Sequence, residues 1–327
     1  MTKPFVTAMG AAFAALALAA AATPAAAEYP ERVVKIQVGF PPGGGADILA
    51  RWYADRLTKA AGGANFIIEN RVGASGNLAL SEAGHAKPDG YTLLFASTVT
   101  TAGNTTVFKQ MPIDVTKDIV PIVGFAETPF VLCVAPDSPI NSVADLTAFI
   151  KSKNGKATYG WATTSAEAAT AMYLKQAGVT ATSVGYKATS TAVQDVTGHQ
   201  IDFAFADIVF AMGQLRQGRV KVLANASDDR SPALKDVPTL KELMGAHTGD
   251  IAALWGLWAT AGTPQPILDK LATWMNDITK TEETQKFLIE QGGATPYIAT
   301  PAQYKQRFEL ALKAWAEAAK LANIQMQ

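Results

Sequence analysis

The sequence predicts an α/β fold of two domains joined by a hinge, and three observations carry that expectation. Strand-like and helix-like stretches alternate along the chain, the alternation starts afresh after the apolar run 130–134, and the last third offers one strand followed only by helices. With 327 residues, 49% of them hydrophobic, the chain has material for about two cores.

The first unit opens on the β-branched run from Val33 to Val38. A glycine-rich loop follows, then Asp47 with the helical spacing Ile48, Leu49, Trp52, Tyr53 and Leu57. The same order recurs from Phe66 through Gly73 and Gly76 into a helix, and from Tyr91 to Ala96 into Ser97, Thr98 and Thr101. Such alternation implies a parallel sheet covered on both faces. The second unit follows Phe130, with a helix from near Ser142, a strand at 157–160, a helix at 165–177, a short segment at 183–186, and strands at 201–206 and 220–224. The last third holds a strand at 254–259 and helices begun by Thr263-Pro264 and Thr300-Pro301. Helices without strands cannot form a third α/β domain, so they pack back on the first. The expected domains are 28–127 with 251–327, and 128–250. The chain then crosses twice, near 126–128 and near 249–252, and two crossings make a hinge.

The N-terminus reads as a secretory signal peptide over 1–27: Lys3, an apolar stretch from Ala8 to Ala22, then Pro24 and the small pair Ala25-x-Ala27. The stretch is short for a membrane span of roughly 20 residues. A free, soluble, exported protein is expected, and a monomer. Charges balance, with 28 Lys+Arg against 28 Asp+Glu, and no basic run marks a nucleic-acid or anionic-membrane partner. The lone cysteine, Cys133, lies in the apolar run Phe130 to Val134, which reads as a buried strand and not a catalytic thiol. His85, His199 and His247 stand apart in loop-like contexts without metal-ligand spacing, so no metal is expected.

Phe40-Pro41-Pro42-Gly43-Gly44-Gly45-Ala46-Asp47 is the most informative stretch. Glycines directly before a helix expose backbone N–H groups at its positive end, so the turn can hold a carboxylate or phosphate without a cationic side chain, with Asp47 as the helix N-cap. No dinucleotide fingerprint or P-loop fits the spacing, and no cofactor is expected. Gly73-Ala74-Ser75-Gly76-Asn77 lacks the second glycine of a nucleophile elbow, which removes the best case for an α/β hydrolase. In the second unit Trp161-Ala162-Thr163-Thr164-Ser165 brings three hydroxyls to a helix start, a second anion grip. Asp207 ends a strand as a helix N-cap and is a candidate acceptor for a ligand or ordered water.

These stretches, with Glu69-Asn70-Arg71-x-Gly73-Ala74-Ser75-Gly76-Asn77, Lys87-Pro88-Asp89-Gly90-Tyr91, Tyr186-Lys187, Gly198-x-x-Ile201-Asp202, Arg230-Ser231-Pro232 and Trp255-Gly256-Leu257, resemble the Bug family of extracytoplasmic receptors for tripartite tricarboxylate transporters. The resemblance spans essentially the whole chain after residue 27. It implies a type II periplasmic binding-protein fold, a ligand enclosed between two α/β domains, a small carboxylate held largely by main-chain groups and waters, and permease subunits as partners. This chain departs where many members have a glycine- and serine-rich loop and it has Trp161 to Ser165, and where Val184-Gly185 replaces Val-Pro.

The expected function is therefore a periplasmic receptor and not an enzyme. Phe40 and Trp161 would sandwich an aromatic acid, of the terephthalate type, while Ser97, Thr98 and the hydroxyls of Thr163, Thr164 and Ser165 hold its polar ends, with Gly43, Gly44, Gly45, Asp47, Ala162, Tyr186 and Asp207 completing the site. The alternatives are a receptor for an aliphatic di- or tricarboxylate or amino acid, a receptor serving a sensor kinase, and, remotely, a secreted hydrolase.

Overall fold

The protein was studied as a computed structural model that describes residues 29–245, 251–321 and 326. The predicted signal peptide, His247 and the start of the second expected crossing lie outside the described residues.

Two mixed sheets organise the chain. The first unit runs β1 (Val34–Val38), α1 (Gly45–Ala60), β2 (Phe66–Asn70), α2 (Asn77–Gly84), β3 (Thr92–Ser97), α3 (Asn104–Val107) and β4 (Ile119–Thr128). The second runs β5 (Phe130–Val134), α4 (Val143–Ser152), β6 (Thr158–Trp161), α5 (Thr164–Ala177), β7 (Thr182–Gly185), α6 (Thr189–Thr197), β8 (Phe203–Asp207), α7 (Ile208–Arg216), β9 (Lys221–Ala226) and α8 (Leu240–Met244). The chain then returns through β10 (Ala253–Thr260), α9 (Gln265–Lys280), α10 (Glu282–Lys286), β11 (Thr295–Pro296) and α11 (Pro301–Leu321). The six-stranded sheet has the order β11-β4-β10-β3-β1-β2 and the five-stranded sheet β7-β6-β8-β5-β9.

The sheets are parallel only in part, which corrects the expectation of parallel sheets. β2-β1-β3 and β7-β6-β8 are parallel, whereas β10 runs antiparallel to β3 and β4, and β5 antiparallel to β8 and β9. β5 and β10 are the strands on which the chain enters the second sheet and returns to the first, so each inserts against the local strand direction. β4 escaped the sequence reading because Pro121 and Gly124 interrupt it. Both sit where its pairing with β10 is irregular, with register shifts at Trp255/Gly256 and Leu257/Trp258.

Local rules set most helix starts. Ser142 caps α4 by accepting the Asp145 N–H at 3.0 Å, Thr239 and Glu242 form a capping box on α8, and Pro301 opens α11. The C-terminal helices pack on the first sheet: Trp258 of β10 is fully buried with its ring 5.3 Å from that of Tyr304 and 4.9 Å from that of Phe308. Each such aromatic contributes about 2–3 kcal/mol of burial, enough to anchor the helix that carries it. Cys133 is fully buried in β5, where burial pushes its thiol up to about 12. No helix among the described residues is long and apolar enough to cross a membrane.

Candidate functional site

The C-terminal ends of the parallel strands in both sheets face one another, and a cavity lies between them. In open α/β sheets ligands bind at that edge. The space open to the centres of water molecules there is about 40 Å³, roughly that of three waters, so the two lobes stand close together.

Four helix N-termini converge on this cavity. Gly44, Gly45 and Ala46 bring the start of α1, Thr163 that of α5, Ala188, Thr189 and Ser190 that of α6, and Asp207 that of α7. Two of these starts are capped by their own chain: the Thr163 hydroxyl accepts the Ala166 N–H at 3.2 Å, and the Asp207 carboxylate accepts the Phe210 N–H at 2.9 Å. The other two are not, because the N-cap residues are Gly44 and Ala188 and neither offers a side-chain acceptor. First-turn N–H groups of α1 and α6, one from each lobe, are thus left to whatever occupies the cavity. Among the described residues Asp207 is the one lining residue with a formal charge.

Pairing across strands builds the walls. Phe130 at the start of β5 is the register partner of Asp207, and Trp255 near the start of β10 is the register partner of Ser97. With Phe40 these two rings give the cavity aromatic walls, and Ser97 and Thr163 add hydroxyls. The Trp255 indole N–H donates to the Thr128 hydroxyl at 2.7 Å, which fixes the ring.

The glycine loop works differently from its sequence reading. The Gly43 N–H donates to the Asp47 carboxylate at 2.9 Å and the Gly44 N–H to the Pro41 carbonyl at 3.2 Å, so neither is free for a ligand. Asp47 is not the N-cap of α1. It sits in the first turn, where the Arg51 guanidinium and the Asn70 amide, each at 2.9 Å, also bond it. Burial raises its carboxyl, but the bonds from Arg51, Gly43 and Asn70 outweigh that and hold it below the usual carboxylate range. Asn70 donates as well to the Phe40 carbonyl at 2.9 Å, so the loop is braced from the end of β2.

Of the expected site residues, Phe40, Gly44, Gly45, Ser97, Thr163 and Asp207 line the cavity; the others do not. Trp161, Ala162 and Tyr186 lie instead along a neighbouring crevice with Gly73 to Gly76, which also touches Phe40. The Trp161 indole N–H donates to the Ser183 hydroxyl at 2.8 Å and its ring packs over Gly185, so Phe40 and Trp161 do not enclose the cavity between them. The Tyr186 hydroxyl donates to Asp195 at 2.7 Å. Thr98 accepts the Leu254 N–H at 3.2 Å and lines a separate cavity with Glu127 and Arg307.

Thr164 and Ser165 are spent on joining the lobes. The Thr164 hydroxyl donates to Asn104 Oδ1 at 2.7 Å, and Ser165 to the Ile251 carbonyl at 2.7 Å. Asn104 is itself held by the Ser75 carbonyl at 3.0 Å and Asn77 Oδ1 at 2.8 Å. The Gly73 to Asn77 stretch therefore braces Asn104, which makes the bond between lobes, and Ser75, at φ 52°, serves through its carbonyl. The sequence reading missed Ala188, Thr189, Ser190, Phe130 and Trp255. The hydroxyl run from Thr189 to Thr191 after Ala188 was a helix-start signal in plain view, whereas Phe130 and Trp255 reach the site only through antiparallel pairing.

Burial pushes the Asp207 carboxyl above its usual range, against the opposing bonds from the Phe210 N–H and the Thr189 hydroxyl. Among the described residues no group of three His, Cys, Asp or Glu side chains is placed to hold a metal ion.

Residues 49–321 match the family described as tripartite tricarboxylate transporter family receptor, TctC. The protein BugT of Bordetella pertussis is 29% identical over 306 residues, covering 92% of this chain and 93% of that protein. A Cupriavidus necator protein described as UPF0065 protein in gbd 5'region is 33% identical over 319 residues, covering 93% and 92%. Among solved structures, R. palustris Rpa4515 with adipate superposes with a TM-score of 0.87 at 29% identity, covering 92% of this chain and all of that one. The periplasmic binding protein BugD gives 0.85 at 27%, covering 91% of this chain and all of that one. The matching family is one of receptors, so this protein is a binding protein and not an enzyme. The chain belongs to the tripartite tricarboxylate transporter receptor family, with the periplasmic binding-protein fold of its Bug members.

Proposed function

We propose that this protein is a periplasmic receptor that captures a small aromatic carboxylate between its lobes and delivers it to the membrane subunits of a tripartite permease. One observation carries the reading: uncapped starts of α1 and α6 from opposite lobes point into a cavity walled by Phe40, Phe130 and Trp255, with no cationic side chain among the described residues that line it. Helix N-termini bind carboxylates through main-chain N–H groups, and flat apolar walls favour a ring. The case for a ring rests on Phe130 and Trp255 in place of Trp161. The lobes 28–127 with 251–327 and 128–250 would turn about the chain crossings at Pro129 and before β10, closing when both helix starts share one ligand.

A second reading, an aliphatic diacid, is favoured by the R. palustris structures named with adipate and, for MatC, with malate. Thermal shift separates the two. Benzoate or terephthalate at a concentration well above its Kd should raise Tm by a few degrees, since a ligand bound at a hundred times its Kd stabilises by about 2.7 kcal/mol. A larger shift with adipate or malate than with every aromatic acid would replace the aromatic reading with the aliphatic one.

A further inference from the structure

We propose that Asp207 limits the ligand to a single carboxylate and selects a molecule whose opposite end donates a hydrogen bond to it. The inference rests on the receptor reading above and specifies the chemical class of its ligand. Asp207 already places a carboxyl acceptor in the cavity. Its carboxylate caps α7 through the Phe210 N–H, receives the hydroxyl of Thr189 on the first turn of α6, and lies against Gly45 at the first residue of α1.

Charge arithmetic follows from that placement. Each helix start carries about half a positive charge, so the four that meet here supply about +2, of which Asp207 offsets about half. The remainder suits one carboxylate. A diacid would place three carboxylates in a small cavity that has, among the described residues, no Lys, Arg or His in its lining to separate them. Like charges sharing a buried site strongly disfavour joint ionisation. The strand register adds a neighbour: Phe130, a ring wall, pairs directly with Asp207, so the two side chains share one face of the sheet and a ring packed on Phe130 has this carboxyl beside it. An amide, hydroxyl or ammonium at that end finds an acceptor, whereas a second carboxylate finds a competitor.

Calorimetry with two matched pairs tests this: terephthalate against its half-amide 4-carbamoylbenzoate, and adipate against its half-amide. Within each pair length and shape are kept while one charge becomes a donor. The wild type should bind at least one half-amide tenfold or more tighter than the matching diacid. In Asp207→Asn, which keeps a good helix cap, that ratio should fall to parity or reverse. Asp207→Ser, a second cap-competent change, should move it the same way if Asn perturbs the fold. A diacid preferred by the wild type, or a ratio unmoved in both variants, would overturn the proposal while leaving the receptor intact. Adipate-type ligands binding where aromatic ones do not would remove only the ring, since the second pair still reads the charge limit. Failure of all four to bind would count against both the carboxylate-receptor reading and this inference.

Discussion

Gly45 of the first lobe and Asp207 of the second lie so close across the cleft that a Cβ added to Gly45 would overlap Asp207 Oδ1. The backbone of α1 can approach the other lobe only because position 45 has no side chain. Gly45→Ala should therefore fold normally but close poorly. Overpacking of this kind costs about 1–3 kcal/mol, or about 5- to 150-fold in affinity. Scattering with saturating ligand should show a larger radius of gyration than for the wild type, and Asp207→Ser in the same chain should recover part of the compaction. Wild-type compaction by Gly45→Ala would show that the two residues separate on binding.

Thr164 bridges the lobes through Asn104 at 2.7 Å, inside a network closed by Ser75 and Asn77. Thr164→Val keeps the shape but leaves a buried amide oxygen without its donor, a loss of about 1–3 kcal/mol. Because the bond spans the lobes, the loss should fall on ligand affinity more than on the unfolding midpoint of the ligand-free protein. Calorimetry and denaturant titration of the same variant compare the two.

Phe40 lines the cavity and Trp161 does not. Phe40→Ala should weaken binding of an aromatic acid by about tenfold, as lost stacking and burial predict. Trp161→Ala should change it by less than about threefold, a difference under 0.7 kcal/mol. A larger loss from Trp161→Ala would restore the sandwich expected from the sequence.

Asp47 gives the acid limb of stability a defined source. Its folded carboxyl lies below its usual value of 3.8, so the stabilisation is present above that value and is lost as pH falls through the folded pKa. Asp47→Asn should unfold at lower temperature than the wild type at pH 6, with a gap that narrows as pH is lowered toward 3. Melting curves across that range check it, and a gap that widens with acid would contradict the assignment.

The alternation of strands and helices, the lobe to which the last helices return, and the buried strand around Cys133 were all legible from hydrophobic period and helix-start chemistry. The site was half legible. Gly44, Gly45, Thr163 and Asp207 announce themselves because helix starts have a local grammar of glycine, hydroxyl and carboxylate. Local grammar does not say which hydroxyl faces the cavity and which faces the other lobe, and Thr163, Thr164 and Ser165 differ only in that. Nor does it reveal a wall built by register: Phe130 and Trp255 become site residues because antiparallel strands deliver their beginnings to the edge where parallel strands end. Trp161 misled because a large aromatic beside a helix start is as readily packing, here against Ser183 and Gly185.

The buried thiol of Cys133 makes this receptor convenient to instrument. It is the chain's one cysteine, sealed in the middle of β5 and with its pKa pushed up to about 12, so maleimide and iodoacetamide reagents will pass it by in the folded protein. A cysteine introduced at exposed Leu78 in the first lobe, or one there and another at exposed Lys153 in the second, would be the reactive thiols, and dye pairs could follow lobe movement in single molecules without altering the native sequence elsewhere.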